Sequence, residues 1–364
     1  MSAGAIALLG RRDEPTDAVE EYCRFLGDAL RARSFETELV RVPWAERGWP
    51  GALRELRQKA GSWRGKSLLV QYTALAWSAR GFPLRFIRVM KMLREAGARV
   101  AVVFHDVEPY GGGRMVDRMR RRAQLHTMQR ALHYADLGVF TVALSTISWL
   151  GDPPSKAVFI PVGANLPAVS PRPRKPNEGE EGPLRVAVFG ITGGAAGREE
   201  SNRIVEAMRF AAKRTGKLRL HAFGRGASDF ESQLREGLRD VPVEVQVEGV
   251  LPPERVVEAL SAADVMLFVR GAISSRRGSA IAGIACGLPV IACGMRETAA
   301  PVTDAGVVLV ARDKNAELGE ALVRVLADRD YRGSLAERSS VAHAQYFAWE
   351  AIAARYVEAL GGTH

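Results

Sequence analysis

The feature that most constrains this chain is a rhythm. Short, continuous apolar runs rich in β-branched residues recur along it, each separated from the next by a segment with helical spacing. In the first half the runs are Ala5–Leu9, Thr37–Val42, Ser67–Tyr72, Arg99–His105, Leu137–Val142 and Ala157–Pro161. In the second they are Leu184–Phe189, Leu218–Phe223, Val243–Val247, Asp264–Val269, Pro289–Ala292 and Gly306–Val310. Runs that do not alternate apolar with polar suit strands covered on both faces, which means parallel sheets with helices on either side. Arg198–Arg214, Glu254–Ala263 and Ala316–Ala327 supply such helices. So does the segment after Asp17, where Asp17 and Glu20 have capping-box spacing and Val19, Tyr22, Leu26, Ala29 and Leu30 share one face. The rhythm breaks once, between Ser170 and Pro183, at PRPRKPNEGEEG, which can bury almost nothing and reads as a linker. Two doubly wound, Rossmann-like α/β domains are expected, residues 1–169 and residues from 184 onward, joined by 170–183.

Charge is unevenly spread. The 51 Lys and Arg exceed the 41 Asp and Glu, and residues 1–170 hold 25 basic against 16 acidic side chains while residues 183–364 hold 23 against 22. The run Arg118-Met-Arg-Arg-Arg122 is the densest basic stretch. It lacks the interleaved aromatics and reading motifs of a nucleic-acid binder, so it reads as a solvated helix face or a contact for an anionic membrane, with no nucleic-acid partner. Three cysteines, Cys23, Cys286 and Cys293, have neither metal-knuckle spacing nor the even number of a disulfide framework, and no histidine pair has ligand spacing, so no metal is expected. The opening residues lack a signal peptide's pattern, and the apolar stretches Ala135–Leu150 and Ile281–Met295 fall short of a membrane span. A cytoplasmic protein, with at most peripheral membrane contact, is expected.

In parallel sheets ligands sit beyond the carboxyl ends of the strands, so the loops there are the ones to search. Gly190-Ile-Thr-Gly-Gly-Ala-Ala-Gly197-Arg198 follows one strand and leads into a helix, where glycines and a helix start can receive an anion; it has neither Walker nor strict GxGxxG spacing. Arg270-Gly-Ala-Ile-Ser-Ser-Arg-Arg-Gly-Ser279 follows another, combining guanidinium charge with helix-start amides. Phe104-His105-Asp106 ends a strand of the first domain, where a histidine can hydrogen-bond a substrate hydroxyl.

Phe223-Gly-Arg-Gly226, Glu248-Gly-Val-Leu-Pro-Pro-Glu254, Ala262-Ala-Asp-Val265 and Ala285-Cys-Gly-Leu-Pro-Val-Ile-Ala292, in that order and spacing, resemble the nucleotide-sugar-dependent glycosyltransferases of the GT-B fold. Val70-Gln-Tyr72, Val103-Phe-His-Asp106 and Ile160-Pro-Val-Gly163 are similar to that family's strand ends in the first domain. The resemblance implies two Rossmann-like domains facing a cleft, acceptor in the first and nucleotide sugar in the second (184–345), with a closing helix in 346–364 that crosses back to the first. It implies His105, Arg198 and Arg277 as the catalytic residues. The donor would lie against Gly193, Gly194, Arg225, Val250, Leu251, Arg270, Ser274, Ser275, Arg276, Gly278 and Ser279. Tyr72 and Asp106 would meet a glycan, lipid-linked or small-molecule acceptor. The activity implied is metal-independent transfer of a sugar from a nucleotide diphosphate sugar to an acceptor hydroxyl, in polysaccharide, glycolipid or natural-product synthesis, with no cofactor beyond the donor. One departure stands out. Retaining members usually carry Glu-x7-Glu where Ser274 and Ala282 stand here, and neither accepts hydrogen bonds as a carboxylate does. The alternative reading is therefore a non-catalytic nucleotide-sugar-binding or scaffold protein of the same shape.

Overall fold

The computed structural model describes residues 3–14, 16–167, 182–312 and 314–361. The expected linker, 170–183, lies outside the described residues except for Gly182 and Pro183. The chain divides into two units, Met1–Pro161 with Trp349–His364, and Val162–Ala348.

The first unit runs β1 Ala3–Leu9, α1 Ala18–Arg31, β2 Phe35–Arg41, α2 Trp44–Ala60, β3 Ser67–Tyr72, α3 Phe86–Glu95, β4 Arg99–Phe104, α4 Met115–Tyr134, β5 Leu137–Phe140 and β6 Ala157–Phe159. Its sheet is wholly parallel, in the order β2-β1-β3-β4-β5-β6. Strands β3 and β4 carry the continuous burial that their apolar runs imply, while the edge strand β2 is buried only at Phe35 and Val40; Tyr72, Trp77, Phe86, Phe104 and Phe140 are fully buried in this core. Helix α1 starts where Asp17 accepts hydrogen bonds from the N–H groups of Val19 and Glu20, both at 3.1 Å. Glu20 does not complete the capping box; its carboxylate turns to Arg41 and Arg24 instead.

The second unit runs β7 Leu184–Phe189, α5 Gly194–Thr215, β8 Leu218–Phe223, α6 Glu231–Gly237, β9 Val243–Val247, α7 Pro253–Ser261, β10 Val265–Ala272, α8 Gly278–Ala285, β11 Val290–Cys293, β12 Val307–Val310, α9 Asn315–Ala327 and α10 Arg329–Ala342. The last helix, α11 Trp349–Ala359, belongs to the first unit and lies on α1, where the Tyr22 and Tyr356 hydroxyls meet at 2.8 Å and Trp349 stacks on Phe25. The second sheet is also parallel, in the order β12-β11-β10-β7-β8-β9. Val188, Leu220, Leu267 and Ile291 form its core with Ile204, Met208, Leu318 and Leu322 of the covering helices.

Strand β10 departs from expectation. The sequence run ends at Val269, but the strand continues to Ala272 through a register shift against β11 between Phe268 and Ala272. Gly271 makes this possible, since its φ of 72° is open to glycine at little cost.

Candidate functional site

In a doubly wound sheet, the crevice for a ligand opens where the strand order reverses, beyond the carboxyl ends. In the second unit that reversal lies between β7 and β10. The loops leaving those two strands are the glycine and arginine loops singled out from the sequence.

They meet there. A Cβ added at Gly190 would lie 2.9 Å from an Arg270 guanidinium nitrogen and 3.6 Å from the Arg225 carbonyl, so only glycine lets this arginine lie across the loop after β7. Arg225 follows β8, its carbonyl accepting the Ile191 N–H at 3.0 Å, and its charge together with partial burial holds the Arg270 guanidinium below its ordinary pKa: burial contributes most, while Glu200 opposes the fall and Arg225 adds to it. Arg277 reaches back towards Gly271, 3.8 Å from where a Cβ would stand there. Helix α5 begins after Gly193 with no side-chain cap, and α8 begins after Arg277 likewise. Gly194 and Gly278, the first residues of these helices, are exposed, so the opening N–H groups of both are available to an anion.

Two carboxylates border this cluster. Glu200, buried on α5, accepts the Thr192 N–H at 2.7 Å and so pins the loop after β7 to its own helix. Glu297, in the loop after β11, grips Arg276 in a fork with Nε at 2.7 Å and Nη2 at 3.0 Å, and takes the Ser274 hydroxyl at 3.4 Å. Burial pushes the Glu297 carboxyl up, but Arg276 and then Arg277 more than offset it and hold it below the ordinary value.

The candidate residues thus separate. Arg225, Arg270 and Arg277 gather at the reversal point. Arg276 stands beside them with its charge committed to Glu297. Ser274 and Ser275 are buried, the first against Glu297 and the second accepting the Val162 N–H through its carbonyl at 3.0 Å. Gly193, Gly194, Gly278 and Ser279 form the two helix starts. Arg198 is exposed on α5, one turn in. Val250 and Leu251 follow β9 on an exposed loop whose Gly249 carbonyl accepts the Gly224 N–H at 2.8 Å, tying it to the loop of Arg225.

In the first unit the strand order reverses between β1 and β3, and a cavity of about 220 Å³ opens there, lined among others by Gly10, Arg11, Arg41, Gln71, Asp106 and Tyr110. Asp106 accepts from the Ala74 N–H at 2.8 Å and the Tyr110 hydroxyl at 2.9 Å. His105 is oriented by the buried Gln71, whose Oε1 accepts from Nε2 at 2.8 Å while its amide nitrogen donates to the Leu69 carbonyl. With the Gln71 oxygen as acceptor, that bond holds the proton on Nε2. Tyr72 is buried: its ring packs between Phe86 and Phe104, its hydroxyl, near Asp106 and Tyr110, has no hydrogen-bond partner, and its carbonyl accepts the His105 N–H at 3.0 Å. An acceptor contact through the Tyr72 side chain is therefore corrected to a core role; alternation along β3 turns the ring inward.

Sequence reasoning passed over Glu200 and Arg203. Both lie in the helical run after Gly197, where charged residues spaced through a helix look like a solvated face; here both are buried. Among the described residues, no group of three or more His, Cys, Asp or Glu side chains is placed to hold a metal ion, and no helix is long and apolar enough to cross a membrane.

Comparison with known proteins matches residues 187–328 to the family of glycosyl transferases group 1. No curated protein sequence matches the chain. Solved structures match over nearly the whole length. Anabaena HepE in complex with UDP and glucose is 14% identical, with TM-score 0.66, covering 99% of this chain and 100% of that one. WaaG, a glycosyltransferase involved in lipopolysaccharide biosynthesis, is 15% identical at TM-score 0.67 with the same coverage. Sucrose-phosphate synthase from Thermosynechococcus elongatus is 19% identical at TM-score 0.70, with 98% of each chain covered. These likenesses are of fold.

Proposed function

We propose that this chain, with a group 1 glycosyl transferase domain in its second unit, is a glycosyltransferase that moves a sugar from a nucleotide diphosphate sugar to an acceptor hydroxyl. The observation that carries the reading is the gathering of Arg225, Arg270 and Arg277 with two uncapped helix starts where β7 and β10 diverge. Breaking a sugar–phosphate bond builds negative charge on the departing diphosphate, and preorganised cations and amides aimed at that charge lower the barrier more than they bind the donor. In this reading Arg277 and Arg270 take the diphosphate, Gly193, Gly194, Gly278 and Ser279 offer backbone amides, and Arg225 with Val250 and Leu251 meets the base and ribose. Arg198 adds charge at the mouth, His105 serves the sugar, and Asp106 the acceptor. No metal is needed, because side chains supply the positive charge.

The acceptor is a hydroxyl of a glycan, a lipid-linked saccharide or a small molecule. A cytoplasmic enzyme touching an anionic membrane fits the outward stripe of α4, where Met115 and Met119, 70% and 57% exposed, alternate with Arg118 and Arg122. Ser274 and Ala282 favour the second reading, a donor-binding protein without turnover.

A thermal-shift panel of UDP, GDP, ADP, CMP and dTDP, each alone and with its sugars, tests donor binding; a ligand at 100 times its Kd adds about 2.7 kcal/mol of stability. Turnover with the donor that binds, unaffected by EDTA and lowered about 10²–10³-fold in Arg277→Ala, separates enzyme from binding module. No shift with any nucleotide removes the reading.

A further inference from the structure

Arg203 is a buried cation that forms no ion pair with a carboxylate among the described residues. It projects from the third turn of α5, is 6% exposed, and makes one hydrogen bond, from Nη2 to the Cys293 sulfur at 2.9 Å, while its Nε is buried without a partner. Two residues before it, the Ser201 hydroxyl is likewise buried and unpartnered. A guanidinium taken out of water costs several kcal/mol unless a counter-charge answers it. Two other arginines of this edge are answered. Arg276 has Glu297, and Arg270 has Glu200 nearby.

The place of Arg203 suggests what answers it. Cys293 ends β11, pairs in register with Ala272, and its carbonyl accepts the Ile273 N–H at 2.9 Å. The guanidinium therefore lies against the end of β11, beside the end of β10 from which the arginine loop departs. We propose that Arg203 is a charge-balancing residue of the donor site: its positive charge is uncompensated in the ligand-free protein and is answered by the diphosphate, so the site is destabilised empty and stabilised full. The inference rests on the donor-site reading above and adds a residue to it that acts through the field, not by contact with the reacting atoms.

The consequence is a pair of changes with opposite sign. Replacing Arg203 by Met keeps the volume and removes the charge. It raises the Tm of the ligand-free protein, by about 2–4 °C for each kcal/mol of relieved desolvation in a unit of this size, and weakens binding of UDP, GDP and inorganic pyrophosphate about tenfold, the size of one unit charge felt at short range through a partly polar interior. A structural arginine behaves in the reverse way, with Tm falling and anion affinity unchanged. Cys293→Ser tests the other source of compensation, a thiolate. If the thiolate balances Arg203, the serine variant loses stability and gains anion affinity; the proposal expects neither. Calorimetric titration of the whole chain with the three probes, at two salt concentrations, reads all of this. Wild-type protein that binds the anions while Arg203→Met binds them equally well overturns the inference and leaves the donor site standing. Wild-type protein that binds none of them overturns both.

Discussion

The pair formed by Arg276 and Glu297 offers a sharp test of how charge is divided at the site. Each side chain is about four-fifths buried, 21% and 19% exposed, and they meet through two hydrogen bonds. Arg276→Met leaves a largely buried carboxylate facing a thioether; breaking one side of a buried pair costs about 3–5 kcal/mol, and the remaining exposure brings this to about 2–3. Glu297→Gln keeps one hydrogen bond and costs about 1–2 kcal/mol. The double variant loses both charges together, so it costs less than the sum of the single ones, with a coupling of about 1–2 kcal/mol. All six tryptophans, at 44, 49, 63, 77, 149 and 349, belong to the first unit, so their fluorescence follows that unit alone and far-UV circular dichroism is needed to follow the second. Urea unfolding read by both signals should show the loss only in the transition without a fluorescence change. Because the charge of Arg276 is spent on Glu297, its removal should weaken nucleotide binding less than Arg277→Ala does. Additive costs, or a larger binding loss at Arg276 than at Arg277, would refute the division.

Three other outcomes follow from particular contacts. Gly197→Ala places a Cβ 1.7 Å from the Thr192 carbonyl and 2.4 Å from the Phe230 ring, so it should cost about 1–3 kcal/mol and shift the loop after β7, lowering nucleotide affinity along with Tm. Glu297, held below the ordinary carboxyl value, contributes stability that is complete above about pH 5 and lost as pH falls through its lower folded value, so acid unfolding of the second unit should be less steep in Glu297→Gln. Cys23, Cys286 and Cys293 are buried, and burial pushes the Cys286 thiol up to about 11, so a thiol reagent at pH 8 should label the native protein only as fast as it opens.

What the residues disclosed before any coordinates follows from the range of the interactions involved. The inner strands form where a continuous apolar run stands, because burial on both faces is written locally in each run, whereas the strands β2 and β9 at sheet edges mix polar with apolar residues and are only partly buried. The end of β10 was not legible: Arg270 and Gly271 read as loop, and only pairing with β11 draws them into a bulged strand end. Arg276 and Arg277 look alike in sequence, and what separates them is Glu297, 21 residues away and delivered by a different strand. Tyr72 ends its strand beside Gln71, and from type alone the phenol looks the better functional group; pleating sends the ring into the core, while Gln71 orients His105.

The missing glutamates take on a different aspect in this light. Ser274 leaves no carboxylate in the chain segment where one was expected, yet the Glu297 carboxylate lies 3.4 Å from the Ser274 hydroxyl, brought there by the neighbouring strand. It arrives already bound to Arg276, so the pair adds shape without net charge. Glu200 plays a similar part for Arg270 and the Thr192 amide. Once these carboxylates are set against their arginines, Arg203 remains as a buried cation that forms no ion pair among the described residues. A diphosphate leaves with one more negative charge than the bound donor carries, so an excess of fixed cations favours the departing group over the intact one. That difference, and not the tightness of donor binding, is what accelerates cleavage.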